Sequence, residues 1–325
     1  MRAPDFWLRN CGGTLATLLA PLGWIYGSTV ARKHRTAKPW RATVPVICVG
    51  NLTAGGSGKT PVAIAIARQL QAGGTEHAWF LTRGYGGRQR ESVVVDLNTH
   101  TAEAVGDEAL LLAHTAPTIV ARDRGEGARL AERHGADAIV MDDGFQNFTL
   151  AKDLSLVVVD AETGFGNGHV LPAGPLREPI RQGLARADAV VLMGDGTPDL
   201  QGFDGPVLRA RLVPATQTAL QDARVVAFAG IGRPEKFFHT LQALGANVVE
   251  RHAFADHHAF TSAEIAQLKD AARRLDARLV TTEKDRARLS ADAREGVETL
   301  GVDAIFEGPE ALSRLMAAAR INVHS

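Results

Sequence analysis

Cysteine is scarce in this chain of 325 residues: it has two, Cys11 and Cys48, and their spacing matches no metal-binding motif. A disulfide-stapled scaffold is therefore excluded, and the count fits a reducing compartment. An excess of charge of either sign is also missing, because 36 Lys and Arg balance 36 Asp and Glu. This balance removes the electrostatic footprint of a general nucleic-acid binder, so no nucleic acid is expected as a partner.

Internal repeats and low-complexity segments are lacking too, and what remains is the composition of a globular protein. Hydrophobic residues make up 45% of the chain and charged residues 22%, which predicts a packed core and excludes general disorder. The length is enough for two domains. No feature of the sequence indicates an obligate protein partner.

Short apolar runs alternate with amphipathic stretches from residue 43 onward. Runs such as Val46–Val49 and Ser155–Val159 are apolar on both faces, as expected of parallel strands covered by helices. Gly164–Pro179 is rich in Gly and Pro and predicts a long loop, a kind of segment that is often functional. Predicted strands are Val44–Val49, Ala78–Thr82, Ser92–Asp96, Thr118–Ala121, Ala136–Met141, Leu154–Asp160 and Ala187–Leu192, and predicted helices are Thr60–Gln71, Asp107–His114 and Arg124–His134.

A second alternation of strands and helices begins at Arg224, after two extended stretches at Pro206–Leu212 and Gln217–Leu220. We therefore predict an α/β fold with a mostly parallel sheet domain over residues 39–217. A smaller α/β domain is expected over residues 218–325.

The run Gly55-Gly56-Ser57-Gly58-Lys59-Thr60 lies between a predicted strand and a predicted helix. Glycine lets the backbone approach an anion closely, and the free N–H groups and dipole of a helix start favour phosphate. Lys59 would reach the β- and γ-phosphates of ATP, and the Thr60 hydroxyl would bind Mg²⁺. The alternative is a glycine-rich turn without a ligand.

This run matches the general phosphate-loop pattern except at one place, where Thr53 stands instead of the first glycine. We predict that the loop binds the triphosphate of ATP. The predicted ATP-binding residues are Asn51, Thr53, Ala54, Gly55, Gly56, Ser57, Gly58, Lys59 and Thr60.

Charged residues are absent from Cys11 to Ala31, and a basic cluster follows. Apolar residues recur there every three or four positions, which predicts one apolar helical stripe that is interrupted by Pro21 and two glycines. The stripe consists of Trp7, Leu8, Cys11, Leu15, Leu18, Leu22 and Ile25, and the basic cluster of Arg32, Lys33, Arg35, Lys38 and Arg41.

Several interpretations of residues 1–38 compete. A signal peptide would export the chain away from ATP and is disfavoured. A spanning helix is possible by length but is weakened by Pro21 and the glycines. We predict an interfacial membrane anchor, with the apolar stripe in the lipid boundary and the basic cluster against anionic headgroups. A core-packing helix of a soluble protein is the remaining alternative.

Two acidic segments are candidates for catalysis or metal binding. The predicted strand 136–141 ends in Asp142 and Asp143, which would supply a second Mg²⁺ contact on the sheet edge of the phosphate loop, although Asp-Asp-Gly is also typical of a turn. Asp107 and Glu108 begin a predicted helix. For that pair, helix capping is as good an interpretation as catalysis.

Three further segments have open interpretations. Asp256-His257-His258 suits a general base assembly, but on its own a solvated loop is the better interpretation, and no third spaced ligand supports zinc. Arg83-Gly84-Tyr85-Gly86-Gly87 suits an anion or a sugar phosphate as well as it suits a flexible hairpin. Thr281–Asp285 ends a predicted strand and has no definite role, with a position at the interdomain cleft as one option.

Together and in this order, these motifs resemble the tetraacyldisaccharide 4′-kinases, the lipid A kinases of Gram-negative bacteria. The resemblance covers almost the whole chain, and Thr53 in the phosphate loop is itself typical of that family. The matching segments are Val49–Pro61, Arg83–Gly87, Gly106–Glu108, Asp142–Gln146, Phe165–Gly168, Leu171–Glu178, Ala229–Gly232, Asp256–His258 and Thr282–Asp285.

The resemblance implies transfer of the ATP γ-phosphate to the 4′-hydroxyl of a tetraacylated disaccharide 1-phosphate. It implies a protein at the cytoplasmic face of the inner membrane, peripheral or monotopic, with two domains that close over the nucleotide. The implied roles are Asp107 as the base with help from His257; Mg²⁺ at Thr60, Glu108, Asp142 and Asp143; and substrate contacts at Arg83, Tyr85 and Arg177.

Two other functions stay open at the level of sequence. One is a soluble P-loop ligase or small-molecule kinase, for which residues 1–38 would be dispensable. The other is a nucleotide-switched ATPase at the membrane. That class often carries a second lysine just before its paired glycines, where this chain has Ala54.

Overall fold

The computed structural model of the protein describes residues 4–7, 13–215, 220–319 and 321. Its strands are β1 (Val46–Gly50), β2 (Ala78–Thr82), β3 (Val93–Val94), β4 (Thr118–Val120), β5 (Ala138–Asp142), β6 (Leu154–Asp160), β7 (Ala189–Met193), β8 (Val207–Pro214), β9 (Arg224–Ala229), β10 (Asn247–Ala253), β11 (Arg278–Thr282), β12 (Val297–Leu300) and β13 (Val302–Phe306). Its helices are α1 (Gly13–Thr36), α2 (Lys59–Ala72), α3 (Ala102–Val105), α4 (Asp107–Ala113), α5 (Arg124–Arg133), α6 (Ile180–Leu184), α7 (Pro234–Ala243), α8 (Ser262–Arg274), α9 (Glu283–Ala287), α10 (Ala291–Arg294) and α11 (Pro309–Ala318).

The larger of the two sheets has the strand order β13-β8-β7-β6-β1-β5-β2-β4-β3. Its neighbours are parallel except at the two ends, where β3 runs antiparallel to β4 and β13 antiparallel to β8. Every residue of β1, β2, β5 and β7 is buried, which is why these strands show no polar alternation in the sequence. The predicted mostly parallel α/β architecture is confirmed.

The pairing of β1 with β5 creates the edge on which the site is built. Val49 lies opposite Asp142 in this parallel ladder, so the carboxyl ends of both strands meet at one edge of the sheet. The phosphate loop follows β1 there, and the acid pair closes β5. Ligands of open α/β sheets bind at this kind of edge.

Helix α2 covers one face of the larger sheet because its apolar residues recur at helical spacing. Val62, Ile66 and Leu70 of this helix are fully buried. The same core takes in Leu312 and Met316 of α11. The beginning of α2, and with it Lys59, is therefore held firmly against the sheet.

The smaller sheet has the order β10-β9-β11-β12, and its strands are parallel. Phe237, Phe238 and Leu241 of α7 pack on one side of it, and Ile265 and Leu268 of α8 pack on the other. This is the second alternation predicted from the sequence.

The chain returns to the larger sheet near its end, which differs from the expected assignment of all of 218–325 to the smaller domain. Strand β13 pairs with β8 and forms one edge of the larger sheet, and Ala304 and Phe306 are buried in the same core as α2. The expected boundary at 217/218 falls on residues 216–219, outside the described residues. We call the part built around the nine-stranded sheet, including β13 and α11, the larger domain, and the part around the four-stranded sheet the smaller domain.

Helix α1 confirms the predicted N-terminal helix, and Pro21 lies inside it. It leaves large apolar side chains in solvent, with Trp24 and Leu18 each 74% exposed. Its opposite side is made of small residues: Gly23 lies against the carbonyl of Val170, and Gly27 against the ring of Pro179. By length and composition the helix could cross a membrane, and only 17% of its apolar 18-residue stretch is buried within the protein. Leu8 and Cys11 of the predicted stripe lie outside the described residues.

Candidate active site

The predicted phosphate loop connects the end of β1 at Gly50 to the start of α2 at Lys59. Gly55 (φ 113°) and Gly58 (φ 87°) adopt left-handed backbone conformations that side-chain-bearing residues rarely take. Thr53 instead forms a bridge in extended conformation with Leu176. A glycine is therefore not needed at that position, which accounts physically for the departure from the general pattern.

The loop is held by one hydrogen bond to a neighbouring segment and by one within itself. The Ala54 N–H donates to the carbonyl of Pro175 (2.7 Å) in the long loop before α6. Asn51 is fully buried, and its Nδ2 donates to the Ser57 hydroxyl (3.0 Å). Asn51, predicted to bind ATP, thus braces the phosphate loop from within the protein.

Lys59 and Thr60 connect the phosphate loop to the acid pair at the end of β5. The Thr60 hydroxyl donates to Asp142 Oδ2 (2.8 Å), and Lys59 Nζ lies 3.9 Å from Asp143 Oδ1. The structure therefore brings together the two motifs that the sequence placed on one sheet edge.

Asp142 is fully buried, and its Oδ1 has no hydrogen-bond partner among the described residues. Burial, and next the negative charge of Glu108, raise the pKa of Asp142 well above its ordinary value. A carboxylate oxygen without a hydrogen-bond partner, next to a Thr hydroxyl, offers the oxygen ligands that Mg²⁺ prefers. In the part of the chain that the structure describes, no group of three or more His, Cys, Asp and Glu is arranged so that it could hold a metal ion.

Asp143 has a different environment from its neighbour. It adopts a left-handed backbone conformation (φ 51°), and both its oxygens accept hydrogen bonds from Arg177, at 2.8 and 3.2 Å. Burial works to raise the pKa of Asp143, but the charges of Lys59 and Arg177 outweigh it and lower the pKa. The predicted substrate residue Arg177 is therefore bound to a predicted metal ligand.

Asp107 and His257 come together across the two domains, although 150 residues separate them in the chain. His257 Nδ1 lies 3.2 Å from Asp107 Oδ2. The Asp107 side chain is 4% exposed, and its Oδ1 accepts the Glu108 N–H (3.0 Å). The N-cap of α4 is Gly106, so the capping interpretation of Asp107 is wrong: Asp107 is the first helical residue.

Two cations of the smaller domain complete the surroundings of this pair. Arg288 Nε donates to Asp107 Oδ2 (2.8 Å), and Lys284 Nζ donates to Glu108 Oε1 (2.7 Å). Burial works to raise the pKa of Asp107, but the hydrogen bond with His257 and the charges of Lys284 and Arg288 hold that pKa well below its ordinary range. Lys284 belongs to the segment whose interdomain position the sequence left open, and the structure places it at the cleft.

Sequence reasoning missed Arg288 and Arg124. Arg288 follows Lys284 by four residues and is the residue directly after helix α9, and this spacing was the available signal. Arg124 is buried near the acid pair, where its Nη1 donates to the carbonyl of Ala121 (2.6 Å). Burial and the charge of Arg83 lower the pKa of Arg124 to about 10, while the acids Asp143 and Asp142 act in the opposite direction.

The two other predicted substrate residues lie at the mouth of the cleft. Tyr85 is 63% exposed, and its ring centroid is 5.4 Å from that of His257. Arg83 is exposed. Tyr85 therefore presents an aromatic ring to solvent beside His257, and Arg83 is a cation whose charge acts on Arg124.

Comparison with known proteins gives a consistent result. A family model described as tetraacyldisaccharide-1-P 4′-kinase matches residues 15–320. A tetraacyldisaccharide 4′-kinase of Rhodospirillum centenum is 54% identical over 325 residues, covering 98% of this chain and 96% of the relative. Another from Paramagnetospirillum magneticum is 54% identical over 320 residues, covering 97% of this chain and 98% of the relative.

Among solved structures, LpxK from Aquifex aeolicus in complex with ATP is similar, with a TM-score of 0.75 and 27% identity. The match covers 94% of this chain and 99% of that one. The resemblance stated from the ordered motifs, and with it the prediction of an ATP-dependent kinase of lipid A biosynthesis, is confirmed. The chain belongs to the tetraacyldisaccharide-1-phosphate 4′-kinase family.

Proposed function

We propose that the protein transfers the γ-phosphate of ATP to the 4′-hydroxyl of an acylated disaccharide 1-phosphate, and that Asp107 and His257 handle the proton of that hydroxyl. The observation that supports these roles is the 3.2 Å contact between His257 Nδ1 and Asp107 Oδ2. Glu108, next to Asp107, is the charge that acts most strongly on Asp142. The proton-handling pair and the nucleotide edge are therefore neighbours.

The larger domain provides the nucleotide site. Backbone N–H groups of the phosphate loop and the start of α2 surround the phosphates, and Lys59 moves from Asp143 to the β- and γ-phosphate oxygens. Thr60 and Asp142 would hold Mg²⁺, which when bound neutralises charge on the transferred phosphate. Asp143 and Glu108 are each paired with a basic side chain, and we assign them a supporting place around the metal.

The transfer itself needs an aligned hydroxyl and a group that takes its proton. The 4′-oxygen forms a bond to the γ-phosphorus, the bond from that phosphorus to the bridging oxygen breaks, and ADP leaves with the electron pair. Asp107 is ionised and accepts the hydroxyl proton, and His257, bonded to the same carboxylate oxygen, assists it. Tyr85 and Arg83 line the mouth of the cleft and would contact the sugar and a substrate phosphate.

The N-terminal helix supports a place at the cytoplasmic face of the inner membrane. Leu18, Trp24 and Ile25 are exposed on α1, and Lys33 and Arg35 lie in its last turn. An apolar surface followed by a basic cluster favours binding at the interface with anionic lipids. We propose a peripheral or monotopic protein whose acylated substrate reaches the cleft from the membrane.

One assay tests the function. The purified protein is incubated with ATP, Mg²⁺ and a tetraacyldisaccharide 1-phosphate in detergent, and the lipid product is analysed by mass spectrometry. A doubly phosphorylated lipid, lost in Lys59→Ala, is expected. No product under conditions where a known 4′-kinase is active would overturn the proposal.

Two other results would favour the other interpretations. ATP hydrolysis stimulated by lipid vesicles, without a phosphorylated lipid, would indicate a switch ATPase. Full activity and unchanged solubility after deletion of residues 1–38 would indicate a soluble small-molecule kinase. In contrast, we expect that deletion to reduce binding to anionic vesicles.

A further inference from the structure

Arg288 enters the cleft from the smaller domain and ends on the carboxylate of Asp107. Its Nε donates to Asp107 Oδ2 (2.8 Å), and its Nη2 donates to the same oxygen. The two side chains are 6% and 4% exposed. This is a buried ion pair between residues that are 181 positions apart in the chain.

The guanidinium of Arg288 is itself held by its own domain. Its Nη1 donates to Asp285 Oδ1 and to the carbonyl of Gly230, both at 2.8 Å. Asp285 is fixed in turn, because its oxygens accept from the Gly230 N–H (3.1 Å) and the Thr282 hydroxyl (2.6 Å). Because a guanidinium is planar and its donors have fixed directions, the smaller domain determines where Nε and Nη2 point.

The donors around Asp107 divide its two oxygens between the domains. Oδ1 accepts the Glu108 N–H of its own helix, whereas Oδ2 faces Arg288 and His257, both from the smaller domain. Arg288 therefore fixes the rotation of the carboxylate, and this rotation keeps Oδ2 opposite His257 Nδ1.

We propose that Arg288 is a positioning residue for the phosphoryl transfer: it orients the Asp107 carboxylate toward His257, and it does so from the smaller domain. The Asp107–His257 pair is therefore assembled when the two domains meet. This inference rests on the proposed roles of Asp107 and His257. The described hydrogen-bond partners of Arg288 do not include Lys59 or Thr60 of the nucleotide site.

The proposal predicts a specific kinetic pattern for Arg288→Ala. A misplaced catalytic group costs on the order of 10²-fold in kcat, whereas KM for ATP stays unchanged because the phosphate loop lies in the larger domain. Arg288→Lys keeps the charge but loses the planar pair of donors, so its kcat should lie between those of Arg288→Ala and the unmodified protein. Free guanidinium ion, but not K⁺, should restore part of the activity of Arg288→Ala.

Arg294 offers a matched control. It donates from Nε and Nη2 to the backbone carbonyls of Arg286, Leu289 and Ala287 in its own domain. Arg294→Ala therefore removes a domain-stabilising arginine without touching Asp107. It should lower the melting temperature and leave kcat unchanged at a temperature where the variant is folded.

A double-mutant cycle separates this inference from the assignment of the base. If Arg288 acts through Asp107, Arg288→Ala should cause no further loss of kcat in an Asp107→Ala background. Equal losses of kcat in both backgrounds would overturn the positioning role. An unchanged kcat in Arg288→Ala would also overturn it. The same holds if Arg288→Ala and Arg294→Ala lose kcat equally and neither Arg288→Lys nor added guanidinium ion restores activity at position 288. Full activity of Asp107→Ala would instead refute the proposed role of Asp107 as the base, whereas the phosphorylation of the lipid tests the proposed function by itself.

Discussion

Two buried carboxylates of this protein, Asp142 and Asp107, have opposite surroundings. Asp142 at the end of β5 has one oxygen without a partner, and its pKa is raised by burial. Asp107 at the start of α4 is surrounded by Arg288, Lys284 and His257, and these hold its pKa low although burial opposes them. The strongest charge acting on Asp142 is the negative charge of Glu108, whereas Asp107 receives its cations from the smaller domain.

This difference indicates how the work is divided between the domains. The larger domain offers a nucleotide site whose charge is completed from solution. The smaller domain completes the charge of the acid that is proposed to act as the base. Variants at the two carboxylates should therefore fail in different ways.

The largest effect is expected for Asp107→Ala. Loss of a general base costs about two to four orders of magnitude in kcat, while ATP binding, measured by calorimetry, should be retained because Lys59 and Thr60 are untouched. His257→Ala should cost less, since it assists. An unchanged kcat in Asp107→Ala would show that Asp107 is not the base, and the proposed difference in role between Asp107 and Asp142 would be wrong.

A smaller effect of another kind is expected for Asp142→Asn. The amide cannot offer Mg²⁺ a negatively charged oxygen, so the Mg²⁺ concentration for half-maximal activity should rise by at least about 10-fold. At saturating Mg²⁺, much of kcat should return. A titration of activity with MgCl₂ at fixed ATP measures both quantities, and an unaltered Mg²⁺ requirement would contradict the metal assignment.

The stability of the metal-free protein should respond to the two acids with opposite sign. Asp107 has a depressed pKa, so it stabilises the fold above the ordinary carboxyl pKa, and this contribution is lost as the pH falls through its folded-state value. Asp107→Asn removes one of the two carboxylates that pair with buried Arg288, which keeps Asp285, at a cost of about 1–3 kcal/mol at neutral pH. Its melting temperature should fall.

Asp142→Asn should have the reverse effect in the same experiment. Because the pKa of Asp142 is raised, its ionisation destabilises the fold at neutral pH, and the amide removes this cost. The melting temperature in EDTA should rise near pH 7, and the gain should disappear as the pH falls to the ordinary carboxyl range. Thermal denaturation from pH 4 to 8 tests both variants, and shifts of equal sign would refute the contrast.

The smallest effect is expected for Lys284→Met, which changes the charge near Glu108 and thereby the electrostatic field at Asp142. Lys284 neutralises Glu108, and the charge of Glu108 raises the pKa of Asp142. Without Lys284 the site near Asp142 becomes more negative and should attract Mg²⁺ more strongly. The Mg²⁺ concentration for half-maximal activity should therefore fall, opposite in sign to Asp142→Asn and smaller in size.

Much of the fold and part of the site could be predicted from the chain alone. The apolar runs at Val46–Val49 and Ser155–Val159 indicated parallel buried strands, and the glycines before Lys59 indicated a phosphate loop. These inferences succeeded because strand burial and a strand-loop-helix turn depend on residues that are close in sequence. The return of β13 to the larger sheet could not be predicted in this way, because a five-residue strand at an edge has little local signal.

The sequence by itself determined the phosphate loop, the sheet edge on which Asp142 lies, and the apolar helix in front, since each follows from local spacing and residue type. The tertiary structure alone decided which acids have cationic partners. Asp143 binds Arg177, and Asp107 binds Arg288, whereas Asp142 Oδ1 has no described partner. The physical reason is that a carboxylate in a protein interior is governed by the charges within a few ångströms, and here the Asp107 partners come from a domain about half the chain away.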